Sequence, residues 1–191
     1  MRRTSGSASL TRRGVLSTLT AGSLLFAIPR ASAQSATDVN RIIKDLAPIR
    51  GQTNSGGYSP EKREPVVIED RTIYIDVTRQ INLEVYFDFD SDAITPRACA
   101  QLADLGAALA SPELQAYRYL IAGHTDAVGA DDYNLDLSRR RASTVAAYLM
   151  SAFPIDPRRL VVIGYGFRRL KLPSAPQAAV NRRVEVSLIV S

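Results

Sequence analysis

Apolar residues recur along this chain at two spacings, and the switches between them mark out its elements. Val39, Ile42, Ile43 and Leu46 fall at helical spacing and predict a short amphipathic helix ending before Pro48, with Thr37 or Asp38 as its cap. A helix of about ten residues is marginal alone in water, so it must pack on something, either this chain's own domain or another protein. Arg50 to Lys62 follows, with Gly51, the Gly56-Gly57 pair and Pro60, and has the composition of a linker. Alternation then takes over. Ile73, Ile75 and Val77 predict an accessory or edge strand. Ile81, Leu83, Val85, Phe87 and Phe89, with Asn82, Glu84, Tyr86 and Asp88 opposite, predict a half-exposed one.

Helical spacing returns at Thr95 and Pro96, which suit the cap and first turn of a helix. Leu102, Leu105, Ala108 and Leu109 form its buried face, and Pro112 marks its end. Tyr119 to Ala122 is a short apolar strand that breaks at Gly123. A polar loop rich in Gly and Asp leads into the next helix near Asn134, with Ala142, Val145, Ala146, Leu149 and Phe153 facing inward and Pro154 and Pro157 closing it. Leu160 to Tyr165 makes a further strand, and Val184, Val186, Leu188 and Val190 alternate as the last. This order predicts an α/β (α+β) two-layer sandwich, a mixed sheet with helices on one face. A right-handed crossover makes the first two core strands parallel.

The distribution of charge narrows the partners this chain could take. The 24 basic and 19 acidic side chains give a formal +5, which invites a nucleic-acid partner. Five of the arginines lie in residues 1–33, which hold no acid, so the remainder balances at 19 against 19 and no nucleic acid is expected. That basic segment reads as an export signal: Arg12 and Arg13, an apolar run from Val15 to Ile28, then Ala31-Ser32-Ala33 as a cleavage pattern. The run of 14 residues is short for a ~30 Å hydrocarbon core, which favours cleavage over an uncleaved membrane anchor. Cleavage near Ala33 would release a periplasmic chain without a transmembrane segment. Thr11 to Leu16 is similar to a twin-arginine signal, and an ordinary secretory signal fits equally.

Catalytic chemistry finds few residues to use. His124 is the only histidine and Cys99 the only cysteine, so imidazole clusters and thiolate metal sites are excluded, and no metal or cofactor is expected. Cys99 lies in a helical pattern and reads as a small buried hydrophobe. Gly164-Tyr165-Gly166 lacks the rest of a dinucleotide loop, and there is no Gly-x-Ser-x-Gly element. His124 reads as a structural residue at a strand end, and Asp88, Asp90 and Asp92 as a solvated turn. What remains is Asp126 in the loop and Arg141 in the helix, 15 residues apart with Asn134 between them. If they face one cleft they suit a zwitterion, carboxylate for ammonium and guanidinium for carboxylate. Otherwise Asp126 stabilises a turn and Arg141 lies on a solvated helix face.

Beyond that loop, GHTD, AVG, N-LDLSRRRA, VAAYL, RLVVIGYG and NRRVEV follow one another in register, after an opening VYFDFDSDAITP. From about Ile81 to Ser191 this succession resembles the OmpA-like, peptidoglycan-binding domain. The resemblance implies non-catalytic binding of peptidoglycan through the meso-diaminopimelate of its stem peptide. Asp126, in the TD pair, would take the ammonium and Arg141, in the RA pair, the carboxylate, with Asn134 and Arg182 at supporting positions. Residues 65–191 would form this domain, 34–64 a helix and linker with another envelope protein as a conceivable partner, and 1–33 the export signal. The stretch GYGFRRLKLPSAPQAAVNRR departs from the family pattern and should bring Arg168, Arg169, Lys171 and Arg182 near the cleft. Two alternatives stand beside wall binding. One is an envelope interaction module without wall affinity; the other is a periplasmic hydrolase of glycan or peptide, for which no nucleophile or buried carboxylate pair is apparent.

Overall fold

The computed structural model of the chain describes residues 33–48, 62–85, 87–88 and 90–190. The expected export signal, apart from Ala33, and the expected linker, apart from Lys62, lie outside the described residues. Helix α1 spans Ala33–Leu46. It begins ahead of the expected cap, so Thr37 and Asp38 lie inside it, as the favourable helix propensity of Ala33, Gln34 and Ala36 allows. Its apolar stripe packs on the chain's own domain: Leu46 is fully buried in the main core, with Val39, Ile42 and Ile43 half-buried against it. Arg79 Nη1 donates to the Lys44 carbonyl at 3.2 Å and so serves the last turn of this helix.

Strands β1 (Arg63–Ile68) and β2 (Arg71–Leu83) form an antiparallel hairpin around Glu69 and Asp70. Nothing in the alternation marks β1, whose Val66 is buried while Val67 is 66% exposed; Pro65 is tolerated because the strand is at the sheet edge. The strand begins two residues ahead of Pro65, where the sequence pattern places the domain boundary.

The two strands expected over 73–77 and 81–89 are one strand, corrected by a bulge. Ile75 lies opposite Ile189 and Gln80 opposite Ser187, so β2 carries extra residues between them. Odd-numbered residues change face there. Ile73 and Ile75 belong to a second apolar cluster, while Ile81 and Leu83 face the main core. Buried Asp76 closes the bulge, its Oδ1 accepting from Thr78 N at 2.8 Å and Thr78 Oγ1 at 2.7 Å. Strand β2 stops at Leu83 because its partner begins at Val184; Val85 and Phe87 still pack on the core from outside the sheet.

Helix α2 (Pro96–Leu109) is capped by Thr95 Oγ1, which accepts from Ala98 N at 3.1 Å. Strand β3 (Arg118–Gly123) leads to α3 (Asp131–Ala152), which starts three residues before Asn134. Asp131 and Asp132 complement the positive end of the α3 dipole. A short 3-10 turn at Pro157–Arg159 precedes β4 (Leu160–Gly164), and β5 spans Val184–Ile189.

The sheet order is β1-β2-β5-β3-β4, with β3 and β4 parallel and the other neighbours antiparallel. Strands β2 and β3 therefore run the same way, with β5 inserted between them. The main core fills the space between this mixed sheet and the helices, as in the expected two-layer α/β sandwich. On the opposite face, Val66, Ile73, Ile75, Leu120, Ala122, Val161 and Ile189 form the second cluster. Both edge strands contribute to it, so the sheet curls around it.

Candidate functional site

The loops that follow β3 and β4 are set by how closely α3 crosses the ends of those strands. Gly123 pairs with Gly164 in the parallel register. A Cβ at Gly123 would overlap the Ser138 carbonyl, and one at Gly164 would lie 2.5 Å from Arg139 N. Glycine at both strand ends lets the helix backbone touch the sheet. Ser138 Oγ donates to Leu135 O at 2.8 Å and accepts from Gly166 N at 2.8 Å, which pins the second loop to the helix. Gly166 takes φ +54°, and its carbonyl accepts from Thr125 N at 2.9 Å, which knits the two loops together.

Asp126 is held in the first loop by its own turn, Oδ1 accepting from Val128 N at 3.1 Å. Its Oδ2 meets Arg182 Nη1 at 2.6 Å; the Asp126 side chain is 13% exposed and that of Arg182 49%. Buried Asn134 donates from Nδ2 to Val128 O at 2.8 Å and Ala130 O at 3.0 Å. It therefore fixes the path of the loop that carries Asp126.

Arg141 is buried, and its guanidinium is tethered by backbone rather than by acid. Nε donates to Ser91 O at 2.9 Å, Nη2 to Asp88 O at 3.4 Å, and the group lies 4.9 Å over the Phe87 ring. No carboxylate pairs with it among the described residues. Burial lowers its pKa, Tyr133, Asp126 and Asp92 oppose that, and Arg182 adds to it. Arg141, Arg182 and Asp126 thus share one electrostatic neighbourhood. The loop around Asp88 and Ser91 is clasped to α3 by Tyr133 on Asp90 and by Arg140 on Asp92 at 3.6 Å.

His124 is buried, with its ring 5.3 Å from that of Tyr165. Its pKa falls from 6.5 to about 3, first through burial and then through the Arg183 charge, so the imidazole is neutral at ordinary pH. Of the four cations expected near the cleft, Arg182 meets Asp126, and two others are engaged with different carboxylates. Arg168 forks onto Asp131 at 2.6–3.2 Å, and Arg169 pairs with Glu64 and stacks 4.1 Å over Tyr165. Among the described residues, Arg182 alone of the four pairs with Asp126. The loop itself is organised by Asn181, a residue whose role the pattern did not reveal. It is fully buried, accepts from Leu172 N at 2.9 Å and donates to the carbonyls of Ala175 and Pro176. Pro176 O in turn accepts from Ala127 N at 3.0 Å, so this loop supports the one that carries Asp126. The only sequence signal for Asn181 is its position at the head of the NRR motif. A groove of about 380 Å³ on the other flank of α3, lined by residues such as Val67, Leu135, Arg139 and Gly164, includes none of the four expected site residues.

The sequence pattern of the OmpA family matches residues 86–183, a span that holds Asp126, Asn134, Arg141 and Arg182. The chain belongs to the OmpA family. Over 111 residues this OmpA-family chain is 38% identical to outer membrane porin F of Pseudomonas fluorescens, 57% of this chain and 33% of that protein. Over 103 residues it is 35% identical to the peptidoglycan-associated lipoprotein of Pseudomonas aeruginosa, 53% of this chain and 59% of that one. It thus spans less than two thirds of either relative's length. Among solved structures, a Desulfovibrio vulgaris protein described as MotB-like superposes with a TM-score of 0.51 at 22% identity, covering 83% of this chain and 92% of that one. That likeness concerns the fold alone. Among the described residues, no helix of the OmpA-family chain is long and apolar enough to cross a membrane, and no group of acidic, histidine or cysteine side chains is arranged to hold a metal ion.

Proposed function

We propose that the cleft between Asp126 and Arg141 binds cell-wall peptidoglycan through the diaminopimelate of its stem peptide, and that the chain is a non-catalytic attachment module of the periplasm. The observation that carries this reading is the state of Arg141: a buried guanidinium held from behind by two carbonyls, with no carboxylate of its own among the described residues. Burying a charge without a counter-charge costs several kcal/mol, and a ligand carboxylate would offset that cost. Asp126 stands in the same electrostatic neighbourhood, and its partner Arg182 is half-exposed and free to swing aside for an ammonium. A carboxylate on the guanidinium and an ammonium on Asp126 describe one end of diaminopimelate. Membership of a family that includes a protein named peptidoglycan-associated lipoprotein supports the same ligand. Asn134 acts by holding the loop, and Arg182 by sharing the Asp126 carboxylate.

Sedimentation with purified sacculi tests the proposal. The full chain co-pellets with sacculi that contain diaminopimelate, releases no fragments, and pellets weakly with sacculi whose stem peptides carry lysine, which lacks the second carboxylate. Pelleting equal on both wall types would remove Arg141 as a carboxylate receptor. Release of soluble fragments would identify a hydrolase, and absence of pelleting an interaction module. We further infer that residues 1–33 are an export signal; the intact mass of periplasmic protein should correspond to a chain starting near Gln34, and retention of residues 1–33 in a membrane pellet would contradict it.

A further inference from the structure

We propose a second ligand site, for a phosphate group, in the groove at the opposite end of β3 and β4 from the cleft. The groove has a volume of about 660 Å³ and is lined by Arg71, Arg118, Arg158, Arg159 and the single carboxylate of Asp156. Arg71 opens β2 and Arg118 opens β3, whereas Arg158 and Arg159 immediately precede β4. Tyr119 pairs with Leu160, which places Arg118 and Arg159 side by side at the start of the two parallel strands.

Most of the charge in this groove is uncompensated. Asp156 is spent on Arg158, whose Nε lies 3.1 Å from each carboxylate oxygen and whose Nη2 lies 2.5 Å from Oδ2. Arg159 is fixed by neutral groups, donating to Tyr117 O at 2.8 Å, Leu109 O at 3.0 Å and Leu114 O at 2.8 Å. Those carbonyls hold its guanidinium in place without cancelling its charge. Arg71 and Arg118 are exposed and have no carboxylate partner among the described residues. Four cations therefore face one anion: Arg159 is fixed by three carbonyls, Arg158 is paired at the surface, and Arg71 and Arg118 are exposed and can close on a guest. A carboxylate ligand would occupy one guanidinium fork and leave the rest. A phosphate group presents a tetrahedron of four oxygens with at least one full negative charge, so more than one forked guanidinium can meet it. The six residues of β3 separate this groove from the Asp126 loop by about 20 Å, so both sites can be filled at once. The site does not depend on wall binding.

Two sources supply such a group, a soluble phosphate and a phospholipid headgroup. Titrating inorganic phosphate into the isotope-labelled full chain, read at the arginine Nε–H resonances, should give saturable shifts at the groove arginines and none at Arg141. R71Q/R118Q, which changes only exposed strand-end side chains, should weaken binding at least about tenfold with unchanged melting. K171Q/R139Q removes equal charge elsewhere and should bind as the parent does. Co-sedimentation of the parent, but not of R71Q/R118Q, with phosphatidylglycerol vesicles and not with phosphatidylcholine vesicles would assign the site to a lipid headgroup. Phosphate saturation without vesicle binding would assign it to a soluble phosphate. Absence of saturable shifts, or equal weakening in the two double variants, would overturn the proposal.

Discussion

Arg141 and Arg182 are both arginines near Asp126, yet burial gives them different work. Arg141 is tethered by Ser91 and Asp88 carbonyls, and under the proposed function its guanidinium forks onto a ligand carboxylate, so Arg141→Lys should lose most wall binding because an ammonium cannot make that bidentate contact. Arg141→Ala or Asp126→Ala should each cost about 2 kcal/mol or more of binding, enough to abolish pelleting with sacculi. Arg182 sits in a half-exposed pair of the kind that contributes ~0–1 kcal/mol, so Arg182→Ala should change wall affinity by no more than about fivefold. Arg139→Ala, on an exposed position of α3, should bind as the parent does; equal losses at Arg139 and Arg141 would point to diffuse attraction instead. His124 makes a separate prediction about stability. Its folded pKa of about 3 lies below the ordinary 6.5, so between these values the unfolded chain binds the extra proton. The neutral imidazole's contribution is therefore complete above pH 6.5 and is lost as pH falls towards 3, by up to about 1.4 kcal/mol per pH unit. Denaturant titrations at pH 7 and pH 5 check this: the parent should lose more stability than His124→Gln, and parallel losses would mean that the imidazole is not held neutral.

Among the elements, α3 decides where the site forms, because its backbone lies directly on two strand ends. Gly164→Ala inserts a Cβ 2.5 Å from Arg139 N, and backbone has no rotamer with which to yield. It should cost at least about 2 kcal/mol of stability, shift α3, and take wall binding with it. Thr95→Ala is the contrasting change. Loss of the cap on α2 should cost about 1 kcal/mol while leaving wall affinity unaltered, since none of Asp126, Asn134, Arg141 and Arg182 lies on α2. Thermal melting alongside sacculus pelleting separates the two cases, and a wall-binding defect in Thr95→Ala would show that α2 couples to the site.

For the molecule as a whole, α1 belongs to the body of the domain rather than to an independent arm. Leu46→Ala should destabilise the chain by about 2–5 kcal/mol, as truncation of a fully buried core leucine does. A chain beginning at Lys62 should lose at least as much, yet its folded fraction should still pellet with sacculi, because α1 packs on α2 and β2, away from the Asp126 loop. If that chain melts like the parent, α1 has no stabilising role. The periodic signals in the sequence sufficed for α1, α2, β3, α3, β4 and β5, since each presents one apolar face at the spacing its own geometry demands. Proline, glycine and cap residues also placed most of the breaks, and the order of motifs carried the family. Strand β1 was illegible because an edge strand that exposes Val67 and carries Pro65 shows no alternation. The change of face along β2 was hidden as well: Ile73, Ile75, Ile81 and Leu83 all stand at odd positions, with Arg79 between the pairs, and only the bulge against β5 sends the two pairs to opposite cores. The site shows the same division. Sequence named Asp126, Asn134, Arg141 and Arg182 through their motifs, because motif spacing survives in one dimension. That Asn134 braces a loop, that Arg182 holds Asp126 while Arg168 and Arg169 go to Asp131 and Glu64, and that Arg141 is buried without a carboxylate partner among the described residues depend on residues distant in the chain. Charges choose partners by distance in space, and only the folded chain sets those distances.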